Sequence, residues 1–277
     1  MERLKAALDK ARESRETAAA AGAGAPPRVS IARRSASADV GPAWEALPLL
    51  DTEPRSLARK RLVTLTGSPD AMPFDVLRTK VLQLMGANDW RRVALTSPSP
   101  GSGKTTTAFN LAVALARHGD LRVILFDFDM RRPGLARLLD APEVPSMPRL
   151  LAGEVDFAEQ ARRIGSNLAL SMNRETVRES ADVLLRRSTR DCLDEIERRY
   201  RPDLMIFDLP PMLVGDETQA FASCVDCAIL IAEGSVSTTS QIDMCEKDLA
   251  EQTNVLGVVL NKCRFASEGS AYYYDYS

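Results

Sequence analysis

The chain has 277 residues, a formal net charge of −2 and an apolar fraction of 45%. That length holds one large α/β domain with an extension. The near-neutral charge argues against general nucleic-acid binding, which needs a basic face, and no run approaches the ~20 apolar residues of a membrane span. Met1-Glu2-Arg3-Leu4-Lys5 is charged from the start and lacks the apolar core of a secretion signal, so the cytoplasm is the expected compartment. The five cysteines, an odd count without a signal, read as reduced thiols. Cys224-Val225-Asp226-Cys227 is one C-x-x-C pair, but a zinc site wants a second pair or histidines, and His118 is the only histidine. Small residues entering a buried strand is the better reading of that pair.

Residues 1–19 read as an isolated helix with Leu4, Ala7, Leu8 and Ala11 on one face. It is either a handle for a partner or a solvated end, because so short a helix is marginal alone. Residues 20–50, rich in Ala, Gly, Pro and Ser, read as a flexible linker. Residues 51–264 have the composition of a folded domain, and residues 265–277 form a tail. A helix after Ser68-Pro69-Asp70 is expected to present Phe74, Leu77, Val81 and Leu84 on one face.

Next comes Ser97-Pro98-Ser99-Pro100-Gly101-Ser102-Gly103-Lys104-Thr105-Thr106, between an apolar strand (Arg92–Thr96) and a segment of helical spacing from Ala108. Glycines let the backbone wrap a phosphate, and the helix N-terminus adds partial positive charge. Pro100, Gly101, Ser102, Gly103, Lys104, Thr105 and Thr106 are therefore the expected phosphate cradle, with Lys104 on the β- and γ-phosphates of ATP and the Thr105 hydroxyl on Mg²⁺. Pro98 stands where the usual first glycine would, so this is a deviant Walker A loop.

Strand candidates are Val93–Thr96, Val123–Phe128, Leu168–Ser171, Leu204–Asp208, Ala228–Ala232 and Leu256–Asn261, with helical spacing between them, clearest at Ala181–Tyr200 and Thr239–Gln252. Near-continuous apolar runs mark strands covered on both faces, hence a doubly wound, mostly parallel α/β fold of the P-loop NTPase type. Ligands of such folds bind at the carboxyl ends of the strands. Two acidic motifs fall there. Asp127 and Asp129 follow Val123-Ile124-Leu125-Phe126, and residues i and i+2 of a strand share a side. Asp208 closes Leu204-Met205-Ile206-Phe207 in the manner of a Walker B acid. A single such Asp is more often a helix cap; three acids on two strands beside a phosphate loop indicate a metal–phosphate site. With His118 far from the loop, the base must be a carboxylate. Asp127 is assigned that role, and Asp129 and Asp208 the metal. Asn261, at the last strand's end, is an adenine contact or a turn residue.

Tyr272, Tyr273, Tyr274 and Tyr276 crowd the final residues, leaving only Tyr200 elsewhere. They look like phosphoacceptors. The chain resembles the bacterial tyrosine kinases of capsule and exopolysaccharide synthesis, from about Met72 to Ser277. The resemblance rests on Ser97–Lys104, on Asp127-Phe128-Asp129-Met130-Arg131 (a Walker A′ motif), on Asp208-Leu209-Pro210-Pro211, on Gly257-Val258-Val259-Leu260-Asn261 and on the tail. It implies ATP- and Mg²⁺-dependent autophosphorylation of the tail and Arg131 among the phosphate contacts. It also implies a membrane-bound chain-length regulator as partner, self-association, and recruitment to the inner face of the membrane. Two positions depart from the family pattern. Of its Glu-x-x-Arg-x-x-Arg oligomerisation motif, aligned on Met72, Asp75 and Arg78, only Arg78 matches, and Leu209 replaces a small or polar residue. Eleven residues separate Asn261 from Tyr272, a reach of at most roughly 36 Å around a domain of roughly 17 Å radius of gyration; transfer to a neighbour's tail is expected. The rival is a nucleotide-dependent assembly or positioning ATPase, whose signature Lys would fall at Ser99.

Overall fold

The computed structural model describes residues 41–51 and 60–263. The expected N-terminal helix and the tyrosine tail lie outside the described residues.

The apolar runs become strands: β1 (Arg92–Thr96), β2 (Val123–Asp127), β4 (Leu168–Ser171), β5 (Leu204–Asp208), β6 (Cys227–Glu233) and β7 (Asn254–Asn261), with an additional β3 (Ala161–Ile164). They form one sheet in the order β3-β4-β2-β5-β1-β6-β7, parallel throughout except for the antiparallel β3–β4 pair. Helices cover both faces: α1 (Gly41–Glu45), α2 (Val63–Thr66), α3 (Met72–Asn88), α4 (Lys104–Ala116), α5 (Leu135–Leu138), α6 (Met147–Leu151), α7 (Phe157–Gln160), α8 (Ser180–Leu185), α9 (Arg187–Tyr200), α10 (Glu217–Ala222) and α11 (Thr239–Ala250).

Strand alternation divides the apolar residues between two cores. Val123, Leu125, Leu204 and Ile206 face α4, which contributes Ala108, Phe109, Leu111 and Leu115. Ile124, Phe126, Met205 and Phe207 face the other side with Leu193, Ile196 and Tyr200 of α9. There Phe126 stacks on Phe207 at 5.1 Å, and Phe128 meets Phe221 at 5.0 Å. Burial on both faces is why these strands read as continuous apolar runs.

Three expectations need correction. The linker does not extend to residue 50: α1 and the strand-like Pro48–Leu50 pack on the domain. Trp44 is 2% exposed, and its indole Nε1 donates to the Tyr200 carbonyl at 2.7 Å. The Leu50 amide donates to Arg163 O and the Arg163 amide to Pro48 O, each at 2.8 Å, so this strap covers the outer edge of β3. The strap has too few residues to show a period, and Arg162 and Arg163 interrupt the apolar pattern of β3 itself. Second, Ala181–Tyr200 is two helices. Arg186 is extended (ψ 144°), and the Thr189 hydroxyl donates to Val183 O at 2.6 Å across the break. Val183, Leu184 and Leu193 share one core on either side, so periodicity passes over the break. Third, α3 buries Val81, Leu82 and Met85, with Leu77 packed against them, and leaves Leu84 43% exposed; the expected face holds at Leu77 and Val81 and turns to Leu82 and Met85 in place of Leu84.

Trp44→Ala should cost about 3–5 kcal/mol of stability, the usual range for deleting a buried Trp, measured by denaturant unfolding, while nucleotide affinity stays at the wild-type value.

Candidate functional site

The sheet order brings three loops together. β5 lies between β1 and β2, so the loop after β1, the acid ending β5 and the acid ending β2 leave neighbouring strands at one rim. The parallel β2–β5 register places Asp127 directly opposite Asp208.

The loop after β1 is held from two sides. Its Ser97 and Pro98 carbonyls accept the amides of Met212 (2.8 Å) and Leu213 (3.2 Å), which follow β5. At the far side Asn261 Nδ2 donates to Ser102 O at 2.8 Å, and Lys262 Nζ donates to Gly101 O at 2.5 Å. Gly101 and Gly103 have φ of 85° and 88°, the left-handed region that glycine alone enters freely. A Cβ on Gly103 would lie 2.4 Å from Asn261 Nδ2. Asn261 thus ties the end of β7 to the phosphate loop through its amide nitrogen, while its Oδ1 accepts the Lys262 amide at 2.9 Å. Within the loop Ser97 Oγ donates to Ser99 O at 2.8 Å, Pro100 is exposed and Ser102 is buried. The Thr106 carbonyl accepts Asn110 Nδ2 at 2.9 Å inside α4.

Lys104 opens α4 almost fully buried, with Nζ 3.9 Å from Asp129 Oδ2. The Thr105 hydroxyl donates to Asp208 Oδ2 at 2.5 Å. Asp127 is wholly buried; its Oδ2 accepts the amides of Gly134 (3.0 Å) and Leu135 (2.9 Å) at the start of α5. Asp127 therefore does cap a helix, yet its Oδ1 is buried without a partner, and so is Asp208 Oδ1. Two orphaned carboxylate oxygens on adjacent strands, beside a Thr hydroxyl, fit a hard divalent cation such as Mg²⁺, which commonly takes one or two carboxylates plus substrate phosphates. Among the described residues no three acids converge on one point. The reason is local: β2 ends at Asp127, so strand alternation no longer governs Asp129. That side chain turns to Lys104 and accepts the Arg132 amide at 3.2 Å.

Burial raises the proton affinity of all three acids. Asp127 is pushed well up by burial, with the Asp208 charge adding to it. Asp208 is pushed up to about 6 by burial, against the opposing pull of Lys104 and the Thr105 hydroxyl. Asp129 is raised by burial and drawn back by Lys104.

Arg131, expected on the phosphates, pairs through Nε with Oε1 of Glu217, which also accepts the Ser180 hydroxyl at 2.8 Å. Sequence reading missed Glu217, the first residue of α10 and 1% exposed; Asp216-Glu217 carries only the ordinary signal of acids starting a helix. Leu209 is fully buried against the aromatic core, so its departure from the small or polar pattern serves packing. His118 is exposed beyond the end of α4. Cys227 is buried at the start of β6, which pushes its thiol up to about 12.

A strand, a glycine-bearing phosphate loop, a helix that opens on Lys-Thr and acids closing two neighbouring strands define a P-loop nucleotide-binding protein. The CobQ/CobB/MinD/ParA nucleotide binding domain matches residues 93–273, and the chain belongs to that family. Among curated relatives, tyrosine-protein kinase YwqD of Bacillus subtilis is 25% identical over 226 residues, 80% of this chain and 89% of that protein. Tyrosine-protein kinase etk of Escherichia coli is 26% identical over 187 residues, 67% of this chain but 25% of the longer relative. The solved VpsO kinase domain aligns with a TM-score of 0.63 at 26% identity, covering 70% of this chain and 97% of that one. The resemblance to bacterial tyrosine kinases and the mostly parallel P-loop fold therefore hold. Among the described residues, no helix is long and apolar enough to cross a membrane.

A carboxyl whose proton affinity rises on folding stabilises the fold below its unfolded pKa, and that contribution is lost as pH climbs through the folded value. For Asp208 the window runs from about 4, the unfolded value, to about 6. Asp208→Asn, which can still accept from Thr105, should gain thermal stability relative to wild type as pH rises from about 4 to 7. The same variant should lose the stabilisation that Mg-nucleotide gives the wild type. Thermal melts across pH, with and without Mg-ATP, check both outcomes.

Proposed function

We propose that the chain is an ATP-dependent protein-tyrosine kinase that phosphorylates its own C-terminal tyrosine cluster, acting on a neighbour's tail. The observation that carries the reading is the juxtaposition of Asp127 and Asp208 in register beside Lys104 and Thr105. Tyrosine kinases among the relatives, and the tail Tyr272, Tyr273, Tyr274 and Tyr276, favour a phenol over water as acceptor.

In this reading the amides of Pro100–Thr106 cradle the triphosphate at the α4 N-terminus. Lys104 offsets negative charge on the β- and γ-phosphates, and Asp129 fixes where that ammonium sits. Thr105 and Asp208 are the donors for Mg²⁺, which would neutralise phosphate charge when bound, and the free oxygen of Asp127 stays open to a proton. Asp129, assigned to the metal from sequence, here serves Lys104 instead. The phenol oxygen bonds to the γ-phosphorus, the bond to the β-phosphate oxygen breaks, and the phenol proton passes to a carboxylate, for which Asp127 is the candidate. Burial makes Asp127 a stronger base than a surface aspartate, and the entering phenol must displace its neighbours to reach it.

The domain organisation that follows is a kinase unit that includes the strap at residues 41–50, with residues 265–277 as its acceptor tail. The relative etk carries its matching segment within a longer chain. That supports a kinase segment serving a larger membrane assembly: a chain-length regulator that recruits it to the inner face of the membrane and controls exopolysaccharide polymerisation or export. The assembly-ATPase alternative is disfavoured by Ser99, where its signature Lys would fall.

Purified protein with Mg-ATP should accumulate phosphotyrosine. Lys104→Met should reduce this to background, as should replacing the four tail tyrosines with Phe, the latter with nucleotide affinity intact. The rate per molecule should fall on dilution, as transfer between molecules requires. Absence of label on the tail of wild-type protein, with a membrane activator supplied, overturns the assignment.

A further inference from the structure

Glu217 has no part in the chemistry described so far, yet it is among the most enclosed charges in the molecule. It is 1% exposed, opens α10, and brings a carboxylate against Arg131. Burying a carboxylate is costly unless it is paired and hydrogen-bonded. Here a single oxygen, Oε1, receives both the Arg131 guanidinium and the Ser180 hydroxyl, the latter at 2.8 Å. Gly215 makes the space for that carboxylate: any side chain there would collide with Oε2.

The arginine is different in kind. Its side chain is 44% exposed, and it meets Glu217 through Nε. Among the described residues its two terminal nitrogens make no hydrogen bond. A guanidinium offers five N–H donors in a planar fork. The ion pair at Nε draws the guanidinium to Glu217 by charge and leaves the Nη donors available. Arg131 stands two residues beyond Asp129, whose carboxylate lies 3.9 Å from Lys104 Nζ. The Glu217 charge also helps to raise the proton affinity of Asp129. Arg131, Glu217, Asp129 and Lys104 thus make one array along the rim that holds the phosphate loop.

We propose that Glu217 is a positioning residue: it clamps Arg131 by Nε so that the terminal nitrogens meet the γ-phosphate of a bound nucleoside triphosphate. The inference rests on the nucleotide-binding reading above and deepens it. The geometry argues against free exchange of Arg131 between Glu217 and phosphate. An arginine that left would strand a buried negative charge near Asp129, whereas an arginine bound at both edges neutralises Glu217 and the triphosphate together.

The test compares Mg-ADP with the Mg complex of a non-hydrolysable ATP analogue by calorimetry, for wild type, Arg131→Ala, Glu217→Gln, Glu217→Asp and the Arg131→Ala/Glu217→Gln double variant. Glu217→Gln keeps the acceptor for Ser180 and removes the charge. The wild type should prefer the triphosphate. Arg131→Ala and Glu217→Gln should each lose about tenfold of that preference, with Mg-ADP affinity within twofold of wild type. The double variant should lose no more than Arg131→Ala alone, because both changes remove one contact. Glu217→Asp should recover part of the preference. Two results overturn the inference: an unchanged triphosphate preference in Glu217→Gln, or losses that multiply in the double variant. An equal fall in affinity for both nucleotides also overturns it, because it marks a merely structural Glu217. Wild-type protein that binds neither nucleotide would instead defeat the nucleotide reading itself, so the two failures are separable.

Discussion

Everything at the rim follows from two carboxylates set opposite each other by a parallel register. Asp127 and Asp208 end neighbouring strands, are both buried, and each keep one oxygen without a partner. Burial is the main cause of their raised proton affinities; the Asp208 charge adds to it at Asp127, and the Asp129 charge adds to it at Asp208. Lys104 is the nearest compensating cation, and it reaches the site because the phosphate loop turns directly from β1 into α4. The fold therefore carries a local destabilisation that a divalent cation and a polyphosphate are suited to relieve. Concentrating strain where a ligand will bind is how a stable scaffold holds a reactive site.

The phosphate loop cannot choose its own position, since its backbone groups form little regular structure. It is tethered instead from the segments following β5 and β7. Met212 and Leu213 donate to one end, and Asn261 and Lys262 to the other. These tethers tie the loop to the Walker B strand and to the point where the chain leaves β7. The exit of the C-terminal residues is thus fastened to the same backbone that would hold the phosphates. A tail beginning there starts at the rim that carries the phosphate loop.

Around this rim the rest of the domain is ordinary packing with one addition. The chain before α2 reaches across to the outer edge of β3, anchored by Trp44 against Tyr200. It covers polar backbone groups that an edge strand would otherwise present. At the opposite edge β7 carries the partly exposed Val258 and Leu260. The two ends of the sheet are therefore unlike: one is closed by the protein's own N-terminal segment, and the other is where the chain departs toward its tyrosines.

The strands, the phosphate loop and the gathering of Lys104, Thr105 and Asp208 at one rim were legible in the amino-acid order, because local periodicity and contiguous motifs encode them. Continuous apolar runs required a sheet covered on both sides, and a glycine-bearing loop between strand and helix required an anion site at the helix start. Contacts made across the sheet were not legible. The turning of Asp129 to Lys104, the capping of α5 by Asp127, the pairing of Arg131 with Glu217, and the docking of Asn261 on the loop all join residues from distant segments. Several partners, such as Asp127, Asp129, Arg131 and Asn261, lie in readable motifs, but no motif states which distant residue each will meet. Which acid met Lys104, which met the start of a helix and which met Thr105 was decided only when the strand order brought those segments side by side.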